Sequence, residues 1–272
     1  MFELALESRA VGADGRHALD DGHRALADAT ARMLDEARIR AGSHVLDVGT
    51  GTGETALLAA DRVGPSGHVV ATDAAPLALE ATAAAVRDRG IAHVVVRTMD
   101  ASTVDMRPRS FDAVIARNVL MFVPLQRAVA GFHRVLREGG RLAAVVWSTL
   151  SGNPYHRIVL EAARAHGGWA GAAPELARAF SLGDAMVYRR TLEGAGYREV
   201  AVHTVQSSRR FVSAATALDV IRASPVDAEP VLRLPDRARD AAWAEIGGAL
   251  REFERDGRCE IPMESLVIVG EK

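Results

Sequence analysis

The stretch His44-Val45-Leu46-Asp47-Val48-Gly49-Thr50-Gly51-Thr52-Gly53 decides how this chain folds. Its first half is an apolar, β-branched run of strand character, and its second half puts a glycine at every other position. Glycine lacks a Cβ, so such a loop turns sharply and lets bare backbone approach a ligand. An Ala- and Leu-rich helix from Glu54 to about Val63 follows, then the turn Gly64-Pro65-Ser66-Gly67 and the strand His68-Val69-Val70-Ala71-Thr72, ending at Asp73. That completes a β-α-β unit, and a parallel sheet is the consequence.

Working outward, the same alternation predicts a helix over residues 76–89, strands over 92–97 and 111–116, and a helix over 126–137 that Gly139-Gly140 would stop. A fifth strand over 141–147 leaves that glycine pair. Helices over 155–165 and 183–195, a strand over 199–205 and a last strand over 265–269 complete the pattern. Between these strands, residues 213–257 exceed what a hairpin needs and read as a helical lid inserted into the fold. Residues 1–40 read as an N-terminal helical cap segment, with Leu19, Leu26, Met33 and Leu34 at near-heptad spacing. The expected division is thus a cap over 1–40, a core over 41–212 and 258–272, and a lid over 213–257.

The bulk composition bounds the partners. Of 272 residues, 49% are hydrophobic and 25% charged, the balance of a globular enzyme. A net charge of -2 offers no field to draw in nucleic acid or an anionic membrane surface, so neither is expected as a partner. Cys259 is the only cysteine, which leaves no internal disulfide and no cysteine-based zinc site; no metal triad is legible among the nine histidines. Neither a basic leader followed by an apolar run nor a stretch of roughly 20 apolar residues is seen, and a cytoplasmic location is expected.

Glycine-rich strand-to-helix turns serve several adenosine cofactors, and charge helps to choose among them. The dinucleotide fingerprint wants glycine at its sixth position, where this chain has Glu54, a carboxylate that would repel a pyrophosphate. Asp47, two residues before the first glycine, puts negative charge at the strand end, which suits the sulfonium and amino group of S-adenosylmethionine. Asp73 closes the second strand, where an acidic side chain can accept both ribose hydroxyls, although nicotinamide cofactors use the same device and Asp73 can also cap the helix behind Ala74-Ala75-Pro76. After the third strand, Asp100 can accept from an adenine amino group while Met99 packs against the ring, or Asp100 can cap the turn before Thr103.

With Val45–Gly53, Ala71-Thr72-Asp73, Met99-Asp100-Ala101, Phe111-Asp112-Ala113-Val114 and Arg134-Val135-Leu136-Arg137-Glu138-Gly139-Gly140 in this order, the chain resembles the class I S-adenosylmethionine-dependent methyltransferases, and among them the quinone-biosynthesis-like small-molecule enzymes. The resemblance implies an α/β, Rossmann-like three-layer sandwich. Its seven-stranded, mostly parallel sheet would have the last strand antiparallel. It implies Asp47 and the loop residues Gly49, Thr50, Gly51 and Gly53 at the methionine moiety, Asp73 with Ala74 at the ribose, and Met99, Asp100 and Ala101 at the adenine.

Arg117 and Asn118, just past the fourth strand, are candidates for the cofactor and the acceptor respectively, each with the alternative of satisfying loop carbonyls. Tyr155 and His156 follow the fifth strand, with His156 the candidate base and Tyr155 a candidate acceptor contact, and His17 and His23 in the cap segment are further acceptor candidates. The expected partner is a small, fairly apolar acceptor such as a phenol, quinone precursor or specialised metabolite, with a homodimer as the expected assembly. The rival expectation is an S-adenosylmethionine-binding cyclase or another non-methylating enzyme on the same fold.

Overall fold

The computed structural model describes residues 24–168, 173–180 and 182–272. The chain divides into two compact units. Among the described residues, a sheet unit holds 29–146, 184–205 and 266–272, and a helical unit holds 24–28, 147–168, 173–180, 182–183 and 206–265.

In the sheet unit, β1 (His44–Val48), β2 (His68–Asp73), β3 (Val94–Thr98) and β4 (Phe111–Arg117) pair in parallel in the order β3-β2-β1-β4. Strand β1 is central, and Val45 through Val48 are all buried, the pattern of a strand covered on both faces. The connecting helices are α1 (Ala27–Glu36) before the first strand, α2 (Glu54–Val63) and α3 (Pro76–Asp88). A further helix, α4 (Leu125–Val135), buries Leu125, Ala128, Val129, Phe132 and Val135, spaced as one helical face. Each such large apolar side chain contributes about 1.5–3 kcal/mol on burial.

The expected helix end at Gly139-Gly140 is displaced. α4 stops at Val135, Leu136 is already extended, and β5 runs Leu136–Trp147 through the glycine pair. Gly139 donates its N–H to the Lys272 carbonyl while the Lys272 N–H donates to Gly140, so the pair belongs to a strand ladder. Gly139 takes φ 75° where the pairing of β4 with β5 shifts register, a bulge that only glycine enters cheaply.

The remaining strands are β6 (Arg198–Phe211), the two-residue β7 (Glu254–Arg255) and β8 (Arg258–Glu271), giving the order β3-β2-β1-β4-β5-β8-β6 with β7 beside β8. β8 runs antiparallel to β5 and β6, so the seven-strand path keeps the expected antiparallel last strand, with β7 as an eighth strand. Both β6 and β8 outrun their expected lengths because polar residues continue the ladder: Gln206 pairs with Glu264, and Ser208 and Arg210 with Glu260.

The helical unit contains α5 (Pro154–Ala165), α6 (Glu175–Phe180), α8 (Ala214–Ala223), α9 (Pro225–Leu232) and α10 (Asp236–Leu250), while α7 (Ala185–Gly194) belongs to the sheet unit. Its core joins Val159 and Ala163 of α5 to Ala217 and Ile221 of α8, Val231 of α9 and Ala242 and Ile246 of α10. The helical elements expected over 213–257 are thus α8, α9 and α10. Among the described residues, no helix is long and apolar enough to cross a membrane.

Candidate cofactor and acceptor sites

The loops after β1, β2, β3 and β4 gather at the carboxyl edge of the sheet, the place where open α/β sheets hold ligands. Thr50 N–H donates to the Thr72 carbonyl, Gly51 N–H to Asp73 Oδ2 at 3.0 Å, and Met99 N–H to the Asp73 carbonyl, so three of the loops are tied together through Asp73 and its neighbour. The second Asp73 oxygen accepts from Ala75 N–H at 2.9 Å. Asp73 therefore shapes the glycine loop and opens α3 while keeping lone pairs for a further donor.

Gly49, Gly51 and Gly53 all have positive φ, 67°, 57° and 91°. Their reasons differ. A Cβ at Gly49 would sit 2.2 Å from Val119 Cγ2, and one at Gly53 would press on Thr82 at 3.1 Å, so these two glycines serve packing within the fold. At Gly51 nothing lies within 4 Å, and that is where the loop presents open backbone. The Gly51 carbonyl is held by the Thr82 hydroxyl at 2.8 Å.

Asp47 is fully buried, and its Oδ2 accepts from the Thr55 hydroxyl at 2.7 Å. Its Oδ1 and the Thr50 hydroxyl are both buried. Burial pushes the Asp47 carboxyl up to about 6, against the opposing pull of the Thr55 and Thr50 hydroxyls and of Arg117. A fully buried carboxylate beside open glycine backbone fits a cationic, donor-rich ligand, and the amino and sulfonium end of S-adenosylmethionine is such a group.

Met99 and Ala101 are buried, and Asp100 is exposed, its Oδ1 accepting from Ser102 N–H at 2.7 Å in a local turn. Ala74, beside Asp73, is exposed. The Arg117 side chain, 12% exposed, donates to the Thr30 hydroxyl at 3.0 Å and to Glu54 Oε2 at 2.5 Å, linking α1 to the start of α2. The Glu54 carboxylate is thus paired with a guanidinium, so its repulsion of a pyrophosphate is weaker than the bare sequence implies and the choice of cofactor rests more on Asp47. Asn118 adopts φ 57°, and its buried Oδ1 has no partner. Sequence reasoning missed Thr55, Thr72 and Thr82, whose hydroxyls hold Asp47 and the loop; threonines in helices and strands carry no local signal of such bonds.

Tyr155 and His156 lie at the start of α5 in the helical unit, both buried. His156 Nε2 is 3.6 Å from Asp227 Oδ1, and burial, aided by Arg209, keeps its ring well below its usual range and therefore neutral. The Arg209 guanidinium lies 3.9 Å over the Tyr155 ring, and burial raises the Tyr155 phenol above its ordinary range. Arg209 and Asp227 had no sequence signal, being about 50 and 70 residues from Tyr155 along the chain. His17 and His23 lie outside the described residues. Among the described residues, no group of three or more His, Cys, Asp or Glu side chains is placed to hold a metal ion.

Residues 45–140 match the family described as a methyltransferase domain. The chain is 40% identical over 112 residues to a nocamycin O-methyltransferase of Saccharothrix syringae, covering 41% of this chain and 40% of that one. To a demethylmenaquinone methyltransferase of Thermus thermophilus it is 35% identical over 115 residues, 42% of this chain and 51% of that one. The chain thus spans about half the length of these curated relatives. The crystal structure of the YcgJ protein from Bacillus subtilis superposes with a TM-score of 0.58 at 19% identity, over 90% of this chain and 98% of that one, a likeness of fold. Residues 45–140, which carry the glycine loop with Asp47, Asp73 and Asp100, are accordingly a class I S-adenosylmethionine-dependent methyltransferase domain.

Proposed function

We propose that the protein moves a methyl group from S-adenosylmethionine to an oxygen, nitrogen, sulfur or carbon atom of a small, fairly apolar acceptor: a phenol, a quinone precursor or a specialised metabolite. The observation that carries this reading is the fully buried Asp47 carboxylate, with the Thr50 hydroxyl beside it, next to the open backbone of Gly51. Support for a small acceptor comes from the near-neutral net charge and from relatives named for nocamycin and demethylmenaquinone. Cytoplasmic action as a homodimer completes the proposal.

When bound, S-adenosylmethionine supplies a sulfonium methyl group open to in-line attack. The chain's own part is alignment. Gly51 offers bare backbone, Asp47 and Thr50 would hold the amino-acid end, Asp73 fixes the loop and would hold the ribose, and Met99 with Ala101 would give the adenine an apolar wall. Arg117 keeps α1 against the start of α2 and so closes the loop's flank.

Incubating the protein with methyl-labelled S-adenosylmethionine and a panel of hydroxylated naphthalenes and quinols, followed by mass analysis, tests this. The expected result is a product heavier by one labelled methyl group, with S-adenosylhomocysteine formed in equal amount. Conversion of an acceptor without gain of label would overturn methyl transfer and favour the cyclase-like alternative.

A further inference from the structure

One face of the sheet is crossed by a connection that has no helix. The steps from β1 to β2 to β3 run one way along the sheet, so right-handed connections put α2 and α3 on the same face, while the return from β3 to β4 crosses the other. Residues 99–110 make that return without a helix. The strands show the consequence. On β2, Val69 and Ala71 are fully buried but His68 and Val70 only partly, and Val95, the register partner of Val70 on β3, is 47% exposed. Between this face and the returning loop lies a cavity of about 690 Å³, wholly within the sheet unit and of the size of small-molecule sites. The loop is fixed over it: Arg134 of α4 donates to the Met106 and Val104 carbonyls at 2.9 and 2.6 Å, and the Arg109 and Ser110 N–H groups donate to the Arg134 and Val135 carbonyls.

The cavity is lined by basic groups in a chain whose net charge is -2. His44 and His68 open β1 and β2 as register partners, so their rings share this face, 6.2 Å apart and edge to face. Arg97 and Arg107 add two guanidiniums. The one carboxylate of the lining, Asp105, pairs with Arg97 at 3.4 Å, and the nearby Asp112 accepts from the His44 backbone N–H and pairs with Arg137. Among the described residues, neither imidazole nor the Arg107 guanidinium makes a hydrogen bond or an ion pair. Val70 and Phe111 give an apolar floor. Free donors above an apolar floor suit an oxyanion carried on a flat apolar body.

We infer that this cavity is a second binding site, for a small organic oxyanion, a carboxylate or a phosphate ester, with Arg107 and the His44 and His68 rings donating to the charged group and the apolar part resting on Val70 and Phe111. The site goes beyond methyl transfer and does not depend on it. His44 stands three residues before Asp47 and His68 five before Asp73, about 10 and 17 Å along their strands, so the ligand binds alongside the cofactor without competing for the glycine loop.

Equilibrium dialysis of the full chain at pH 7.5 against 1-naphthyl phosphate, 1-naphthoate and neutral 1-naphthalenemethanol tests it. At least one anion is expected to bind at least about ten-fold more tightly than the alcohol, the tighter of the two telling phosphate from carboxylate, and Arg107→Glu is expected to remove that margin. Saturating S-adenosylhomocysteine is expected to leave anion binding unchanged. Equal binding of anions and alcohol, no anion binding, displacement by S-adenosylhomocysteine, or a margin that survives Arg107→Glu would each overturn the site. Arg107 is exposed, and its loop is held through groups other than its own, so the variant is expected to fold with an unchanged melting temperature. Should it not, His68→Gln decides: anion binding weaker by about three-fold or more supports the site, and unchanged binding overturns it.

Discussion

An ionised carboxylate at position 47 lies among central strands, fully buried, with the Thr55 hydroxyl on one oxygen and the Thr50 hydroxyl also acting to hold it charged. Its rise from 3.8 to about 6 corresponds to about 3 kcal/mol of strain on the folded state at neutral pH. The sign follows from the raised value: stability is fully present below pH 3.8, falls as the pH climbs through about 6, and is flat above. Asp47→Asn is therefore expected to stabilise the protein by about 1–3 kcal/mol at pH 7.5 in urea unfolding, with the gain vanishing near pH 4, while weakening the cofactor. The glycines separate in the same way. Gly49→Ala drives a methyl into Val119 at positive φ and is expected to cost about 2–4 kcal/mol, whereas Gly51→Ala meets no neighbour and is expected to cost only about 1–2 kcal/mol of stability, its larger effect falling on cofactor affinity. Melting curves with and without S-adenosylmethionine distinguish these patterns.

At the level of elements, Arg117 couples α1 to α2 through Thr30 and Glu54. Arg117→Leu removes the guanidinium that joins Thr30 to Glu54, and a loss of about 1–3 kcal/mol is expected, with faster amide exchange in α1 than in β1. The elements themselves differed in how openly the chain announced them. The run β1-α2-β2 was legible almost residue by residue, because buried strands are β-branched runs and glycine punctuates them. The ends of β6 and β8 were not, because Gln206, Ser208 and Arg210 alternate with no apolar face and only their cross-strand partners explain them. The glycine pair at 139–140 was misread as a helix stop, since a bulge and a helix end ask for the same positive φ. In the site, Asp47, Asp73 and the loop stood out in sequence, while the hydroxyls that hold them and the Arg209 and Asp227 beside Tyr155 and His156 depend on tertiary approach alone.

Across the sheet unit, Arg141 ties distant segments together. Its side chain, 8% exposed, reaches Glu199 at 2.6 Å, Glu271 at 3.2 Å and Glu36 at 3.9 Å, joining β5 to β6, β8 and α1. Arg141→Met would remove the one buried cation shared by three carboxylates, leaving Glu199 and Glu271 to Arg38 and Glu36 to Arg32, and a destabilisation of about 1–3 kcal/mol in urea unfolding is expected. The central claim is that the loop binds S-adenosylmethionine through Asp47, Gly51 and Asp73. Isothermal titration calorimetry of the full chain with S-adenosylmethionine tests it most directly. The account expects a single saturable site at pH 7.5 that weakens about ten-fold for each pH unit below 6 as Asp47 takes up its proton, and that Asp73→Ala abolishes. Absence of binding at millimolar cofactor, or binding indifferent both to Asp73→Ala and to pH, would contradict it.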